Sequence, residues 1–186
     1  MVPLTSLWLP MLLSAVFVFI ASSVIHMVLG YHRADFQRMP DEDGVMAALR
    51  RFALPPGDYM MPHPPGPNAM KDPAFLDKIK QGPVATFTVP RGGSINMGRQ
   101  LAQWFLYCLF VSVFAGYIAS RGIGPGAEYL RVSQLASSTA FAAYALAHWQ
   151  GAIWYKRSLG MTIRNTIDGL IYGFITGGTL GWLWPR

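Results

Sequence analysis

The sequence predicts an all-α integral membrane protein: four transmembrane helices, with a partly ordered cytoplasmic loop of about 68 residues between the first and the second. Three observations predict it. Apolar residues make up 52% of the chain and charged residues only 13%, against roughly 25% charged in soluble domains. Four apolar stretches approach the roughly 20 residues needed to cross a bilayer. The basic residues avoid those stretches and collect between them. The formal charge of +6 therefore points to a membrane topology rather than to nucleic acid, and no Lys/Arg-rich run tracks a phosphate backbone.

The spans fall at about 7–30, 101–120, 132–155 and 165–185, and the whole chain, 1–186, reads as a single membrane domain with a cytoplasmic insertion at 31–98. The first three carry no charge and the fourth carries only Asp168. The first reads as a retained anchor rather than a cleaved leader. No basic residue precedes its core, His32 and Arg33 follow it, and the apolar run is too long.

Orientation follows from Lys and Arg. Nine lie between the first two spans and three more, Lys156, Arg157 and Arg164, between the last two; only Arg121, Arg131 and Arg186 lie on the other side. Both termini are expected outside the cytoplasm, in a bacterial-type plasma (inner) membrane. Trp8, Tyr117, Trp182 and Trp184 mark the outer ends. Tyr31, Trp104, Trp154 and Tyr155 mark the inner ends.

The long loop holds ten of the chain's fourteen prolines. Asp41, Glu42 and Asp43 suit a helix start, where acids meet the positive end of the dipole. Val45, Leu49 and Phe52 then recur at helical spacing until Pro55-Pro56-Gly57, which predicts a short amphipathic helix on the membrane surface or against the spans. Residues 61–67 are too proline-rich for helix or sheet. Asp72-Pro73 opens another helical turn that ends near Gly82-Pro83, and Val84–Val89 alternates like a short strand. Ser94 is the expected N-cap of the second span.

The fourth span carries Gly169, Gly173, Gly177 and Gly181, each four residues apart. Small residues at that spacing let helices approach closely in lipid. Ala136, Ala140, Ala143 and Ala147, with Ser133 and Ser137, offer a matching row, so the third and fourth spans are expected to form a tight hairpin across a 156–164 loop.

Ionisable groups inside a membrane point to function. His26, His148 and Asp168 qualify, at depths of about 10, 12 and 6 Å from the inner boundary by a helical rise of about 1.5 Å. Histidines on two helices can ligate a haem iron axially or hold a transition metal, and a carboxylate can orient one imidazole. A His–Asp pair can equally carry protons or hydrogen-bond a quinone. The plainer reading pairs Asp168 with Arg164 as an i, i+4 contact and places the histidines, His32 included, at headgroup level. Tyr59-Met60-Met61-Pro62-His63 has soft ligands that suit copper but too few to complete a site. Cys108 is the only cysteine, which excludes an internal disulfide or a cysteine-based metal site, and reads as a buried apolar residue.

There is no phosphate loop, His-Glu-x-x-His motif or nucleophile elbow. With no complete catalytic set, the leading expectation is a non-catalytic accessory or assembly subunit, packed against lipid and other membrane proteins or against copies of itself. A small haem- or quinone-binding redox protein using His26 and His148 is the second reading. A homo-oligomeric transporter or channel with Asp168 lining the path is the third.

Overall fold

The computed structural model describes residues 1–91 and 96–186. It is about 70% helical. In chain order the elements are α1 (Trp8–Ser23), α2 (Glu42–Arg50), β1 (Gly57–Met61), α3 (Pro73–Gln81), β2 (Ala85–Val89), α4 (Met97–Gly122), α5 (Tyr129–Phe141), α6 (Ala147–Tyr155) and α7 (Leu159–Trp182). The chain divides into two compact units: Met1–Gln37 with Asn96–Arg186, and Arg38–Ile95.

The first unit is a helical bundle in which α1 packs on α4 and α7, and α5 packs on the same two helices. Two helices are long and apolar enough to cross a membrane: Leu4–Leu29, of mean hydropathy 2.4, and Met97–Gly122, of mean hydropathy 1.7. α1 runs without a break into a π-helical segment, Val24–Leu29. A second π-helical segment, Ala142–Leu146, fuses α5 to α6 into one rod. Side chains stitch the helices together. Ser112 donates to the Met11 carbonyl at 2.8 Å, the Trp104 indole N–H donates to Ser22 Oγ at 2.7 Å, and Tyr107 donates to the Ala143 carbonyl at 2.9 Å.

The N-cap expected at Ser94 lies outside the described residues; Asn96 caps α4, its side chain accepting the Arg99 N–H at 3.1 Å. The expected 156–164 loop is shorter. Ser158 accepts the Met161 N–H and starts α7 at once, so only residues 156–158 connect the rods and Arg164 stands on the second turn of α7. With no proline between Ser158 and Trp184, nothing delays the helix until the apolar run begins.

Along α7 the glycines lie against the α5 rod. A Cβ on Gly169 would stand 2.7 Å from Ala145 Cβ, and on Gly173 or Gly181 3.0 Å from the carbonyl oxygens of Ser137 and Tyr129. One on Gly177 would overlap Ser137 Oγ and the Ser133 carbonyl. The facing row is therefore Tyr129, Ser133, Ser137, Phe141 and Ala145: of the expected small residues Ser133 and Ser137 lie on it, and Ala136, Ala140, Ala143 and Ala147 are not among the atoms nearest these glycines. Serine is nearly as small as alanine, so size alone does not choose between the rows.

In the second unit, Asp41 caps α2 by accepting the Gly44 N–H, and Asp72 caps α3, whose first residue is Pro73. The strand expected near 84–89 is β2. Its antiparallel partner β1, which the pattern did not suggest, places Tyr59 opposite Phe87 with the rings stacked 5.5 Å apart. Within this unit's described residues only Ala69 and Phe75 have buried side chains.

Candidate functional site

A polar cluster forms where α1 ends beside the first turns of α7. It depends on Gly30, which takes the left-handed conformation (φ +66°) open to glycine at little cost and ends the π-helical segment. The chain then folds into a 3-10 turn, Tyr31–Ala34. That turn brings Tyr31, His32 and, just beyond it, Asp35 against Asp168 and Arg164 of α7.

His32 is the hub. Its Nδ1 is 2.6 Å from Asp35 Oδ2 and its Nε2 2.8 Å from Asp168 Oδ2. Each ring nitrogen of His32 therefore faces a carboxylate oxygen. The second oxygen of Asp168 accepts the Tyr31 hydroxyl. Asp35 also takes two guanidinium N–H bonds from Arg164, one of them at 2.7 Å. Burial pushes the Asp35 carboxyl up, but the hydrogen bonds from His32 and Arg164 and their charges outweigh it, so its pKa lies below the ordinary value. One continuous chain of hydrogen bonds thus runs from Arg164 through Asp35 and His32 to Asp168.

His26 lies on the outer side of this hub. Its ring stacks on that of His32, with centroids 4.3 Å apart and planes within 7°. Its Nδ1 is 3.0 Å from the Ser22 carbonyl, which can only accept, so Nδ1 donates there, and the ring's other nitrogen is Nε2. That Nε2 is 3.9 Å from Asp168 Oδ2. The side chain of His26 is 49% exposed and that of Asp168 only 4%. On the inner side, Tyr172 stacks edge-on against Tyr144 and Trp104. The hydroxyls of Tyr144 and Tyr172 are buried without a hydrogen-bond partner among the described residues.

Of the residues singled out in the sequence, His26 and Asp168 meet and His148 does not join them. His148 is exposed on α6 and lines a separate cavity of about 250 Å³ with Tyr155, Arg157, Thr162 and Asn165. On an ideal helix His148 shares the face of Tyr144. The π-helical segment between them adds a residue to the turn and rotates everything that follows, leaving Tyr144 buried and His148 outside. Arg164 pairs with Asp35 rather than with Asp168, because Tyr31 and His32 already occupy both oxygens of Asp168.

His32, Tyr31 and Asp35 were the residues missed. His32 and Tyr31 read as headgroup-level side chains, and Asp35 as one more loop acid. The available signal was local: His26, Tyr31, His32 and Asp35 within ten residues, with a glycine among them. Comparison with protein-family models, curated proteins and solved structures gives no match for this chain.

Proposed function

We propose that this chain is a four-span membrane protein that serves as a non-catalytic accessory or assembly subunit of a larger membrane complex. The four-span reading is supported by an inverted distribution of side chains. The bundle interior holds many small and polar residues, among them Ser14, Ser112, Gly173, Thr176 and Gly177, beside a smaller set of large apolar ones such as Leu7 and Leu180, whereas most large apolar side chains point outward. Phe110 of α4, Phe174 of α7 and Ile153 of α6 are 68%, 62% and 58% exposed. Soluble proteins rarely expose so much contiguous apolar surface, and lipid has no such objection. The rod at 129–155 and α7 span roughly 40 and 36 Å at about 1.5 Å per residue, enough for a bilayer core. The Lys/Arg distribution then puts residues 38–95 and both ends of the 156–158 turn on the cytoplasmic side.

The observation that carries the subunit reading is the bare second unit. Among its described residues only two apolar side chains are buried, far too small a core to hold the unit on its own. α2 has no buried residue, and its Met46 and Leu49, with Phe52 just beyond it, are exposed. A partner surface supplies what the unit lacks. The redox reading with a His26–His148 ligand pair loses support, since His26 faces His32 instead. The channel reading also weakens, because Asp168 is closed in by Tyr31 and His32.

The test is affinity purification of the full chain in mild detergent, compared with the Leu49→Asp/Phe52→Asp variant. Wild type should elute with a partner in fixed stoichiometry. The variant should elute alone with the thermal unfolding of its bundle unchanged. A homogeneous wild-type monomer in which residues 38–95 resist proteolysis would overturn the proposal.

A further inference from the structure

We propose that His26, His32 and Asp168 form a binding site for one divalent transition-metal ion of the kind held by two imidazoles and a carboxylate, with zinc as the probe. The site lies within the bundle and does not depend on the subunit reading. One ligand atom from each of the three residues lies within 4.8 Å of the other two. Metal bonds of about 2.0–2.2 Å to nitrogen and oxygen let one ion span roughly 4 Å between ligand atoms. Asp168 Oδ2 is already 2.8 Å from His32 Nε2 and 3.9 Å from His26 Nε2. The lone pairs of stacked rings lie in parallel planes, so closure asks that His26, the half-exposed member, tilt out of the stack while pivoting on its bond to the Ser22 carbonyl.

What separates this cluster from a chance meeting of polar groups is the outer layer. A ligating imidazole needs its other nitrogen held by an acceptor, which sets the tautomer and aims the lone pair. Both histidines have that: His26 Nδ1 donates to the Ser22 carbonyl, and His32 Nδ1 donates to Asp35. Asp35 is in turn clamped by Arg164. Tyr31 holds the oxygen of Asp168 that is not offered to the ion. π-helical turns occur often at functional sites, and His26 sits in one.

The ion's charge is met by two carboxylates, Asp168 as a ligand and Asp35 behind His32. Two imidazoles and one carboxylate leave at least one coordination position toward the exposed side of His26, where water or a partner's side chain completes the shell. Nitrogen and oxygen ligands of this mixture suit Zn²⁺ and Fe²⁺ better than Ca²⁺ or Mg²⁺, which take oxygen.

The experiment uses the full chain in detergent, purified without a polyhistidine tag, and titrated calorimetrically with Zn²⁺. Bound Co²⁺ is followed by its visible absorption. Wild type should bind one equivalent of Zn²⁺. His26→Ala should weaken binding by at least about 100-fold and Asp35→Asn, which disturbs only the outer layer, by about 10–100-fold. His148→Ala and His63→Ala should bind as wild type. His26→Ala removes a half-exposed ring, so loss of its binding with unchanged thermal unfolding is attributable to the ligand. Absence of stoichiometric binding in wild type, equal binding by His26→Ala, or a Co²⁺ spectrum unaltered by His26→Ala would overturn the proposal.

Discussion

The two units solve the problem of holding a shape in opposite ways. In the bundle, close approach does the work. α7 lays a row of glycines on the backbone of α5, hydroxyls bond across helices, and the buried side chains are mostly small. In the Arg38–Ile95 unit, local rules do the work: an aspartate caps each helix, a proline opens α3, and a stacked Tyr–Phe pair pins the hairpin. Caps contribute about 1 kcal/mol each and a cross-strand aromatic pair no more than about 1 kcal/mol. Such terms shape a segment but do not offset the entropy of ordering it. The bundle is thus sensitive to single atoms, whereas the insertion tolerates change at almost any position except its uncovered apolar face.

The sharpest way to break that comparison is Gly177→Ala. Its new methyl group would meet Ser137 Oγ and the Ser133 carbonyl, and a backbone carbonyl cannot step aside. Overpacking costs about 1–3 kcal/mol where neighbours can adjust, and this position should fall at the upper end or beyond. Thermal unfolding in detergent should show a large fall in Tm. Gly178→Ala, one residue along, would meet only the Tyr129 hydroxyl at 3.4 Å and should change Tm little. In the insertion, Gly66→Ala meets nothing within 4 Å and should be silent. Equal effects at all three would mean that the glycine row is not an interface.

A smaller effect is expected at the polar cluster. Arg164→Ala removes two of the bonds that hold Asp35, and Arg164 is partly exposed, so solvent makes up some of the loss. A destabilisation of about 1–2 kcal/mol follows from the usual worth of charge-assisted hydrogen bonds. The pH dependence has a definite sign. The pKa of Asp35 is lowered by folding, so its contribution is fully present above the ordinary carboxylate range and is lost as pH falls through that range and below. The midpoint of unfolding of wild type should therefore drop at acid pH, and Asp35→Asn should flatten that limb.

How much of this was legible in the sequence depends on the scale of the feature. Apolar length and the avoidance of charge located the long helices, and Asp41, Asp72-Pro73 and the Val84–Val89 alternation placed α2, α3 and β2 closely. Those signals are local. The site was half legible: His26 and Asp168 stood out because ionisable groups are costly in apolar runs, but their true partners came from a turn at Gly30 that no periodicity describes. His148 was misplaced for the same kind of reason. Helical-wheel reasoning assumes 3.6 residues per turn, and the π-helical segment at Ala142–Leu146 departs from it without a composition that announces the change. β1 escaped notice because a two-stranded pairing 28 residues apart is fixed by the partner, not by the alternation of Gly57–Met61 itself.

The smallest expected effect is also the one that runs in the opposite direction. Tyr144 and Tyr172 bury their hydroxyls with no partner among the described residues, while their rings fill the space around Trp104. A buried hydroxyl without a hydrogen bond is a cost of about 1–3 kcal/mol, and removing it while keeping the ring returns part of that. Tyr144→Phe and Tyr172→Phe should each leave the bundle as stable as wild type or more stable by up to about 1 kcal/mol, read as an unchanged or raised Tm. A clear fall in Tm for Tyr172→Phe would show that its hydroxyl is engaged in the folded protein. Because Tyr172 stands one turn along α7 from Asp168, the engaged group would then be sought in the polar cluster, and the boundary between the bundle interior and the His–Asp site would have to be drawn one turn deeper.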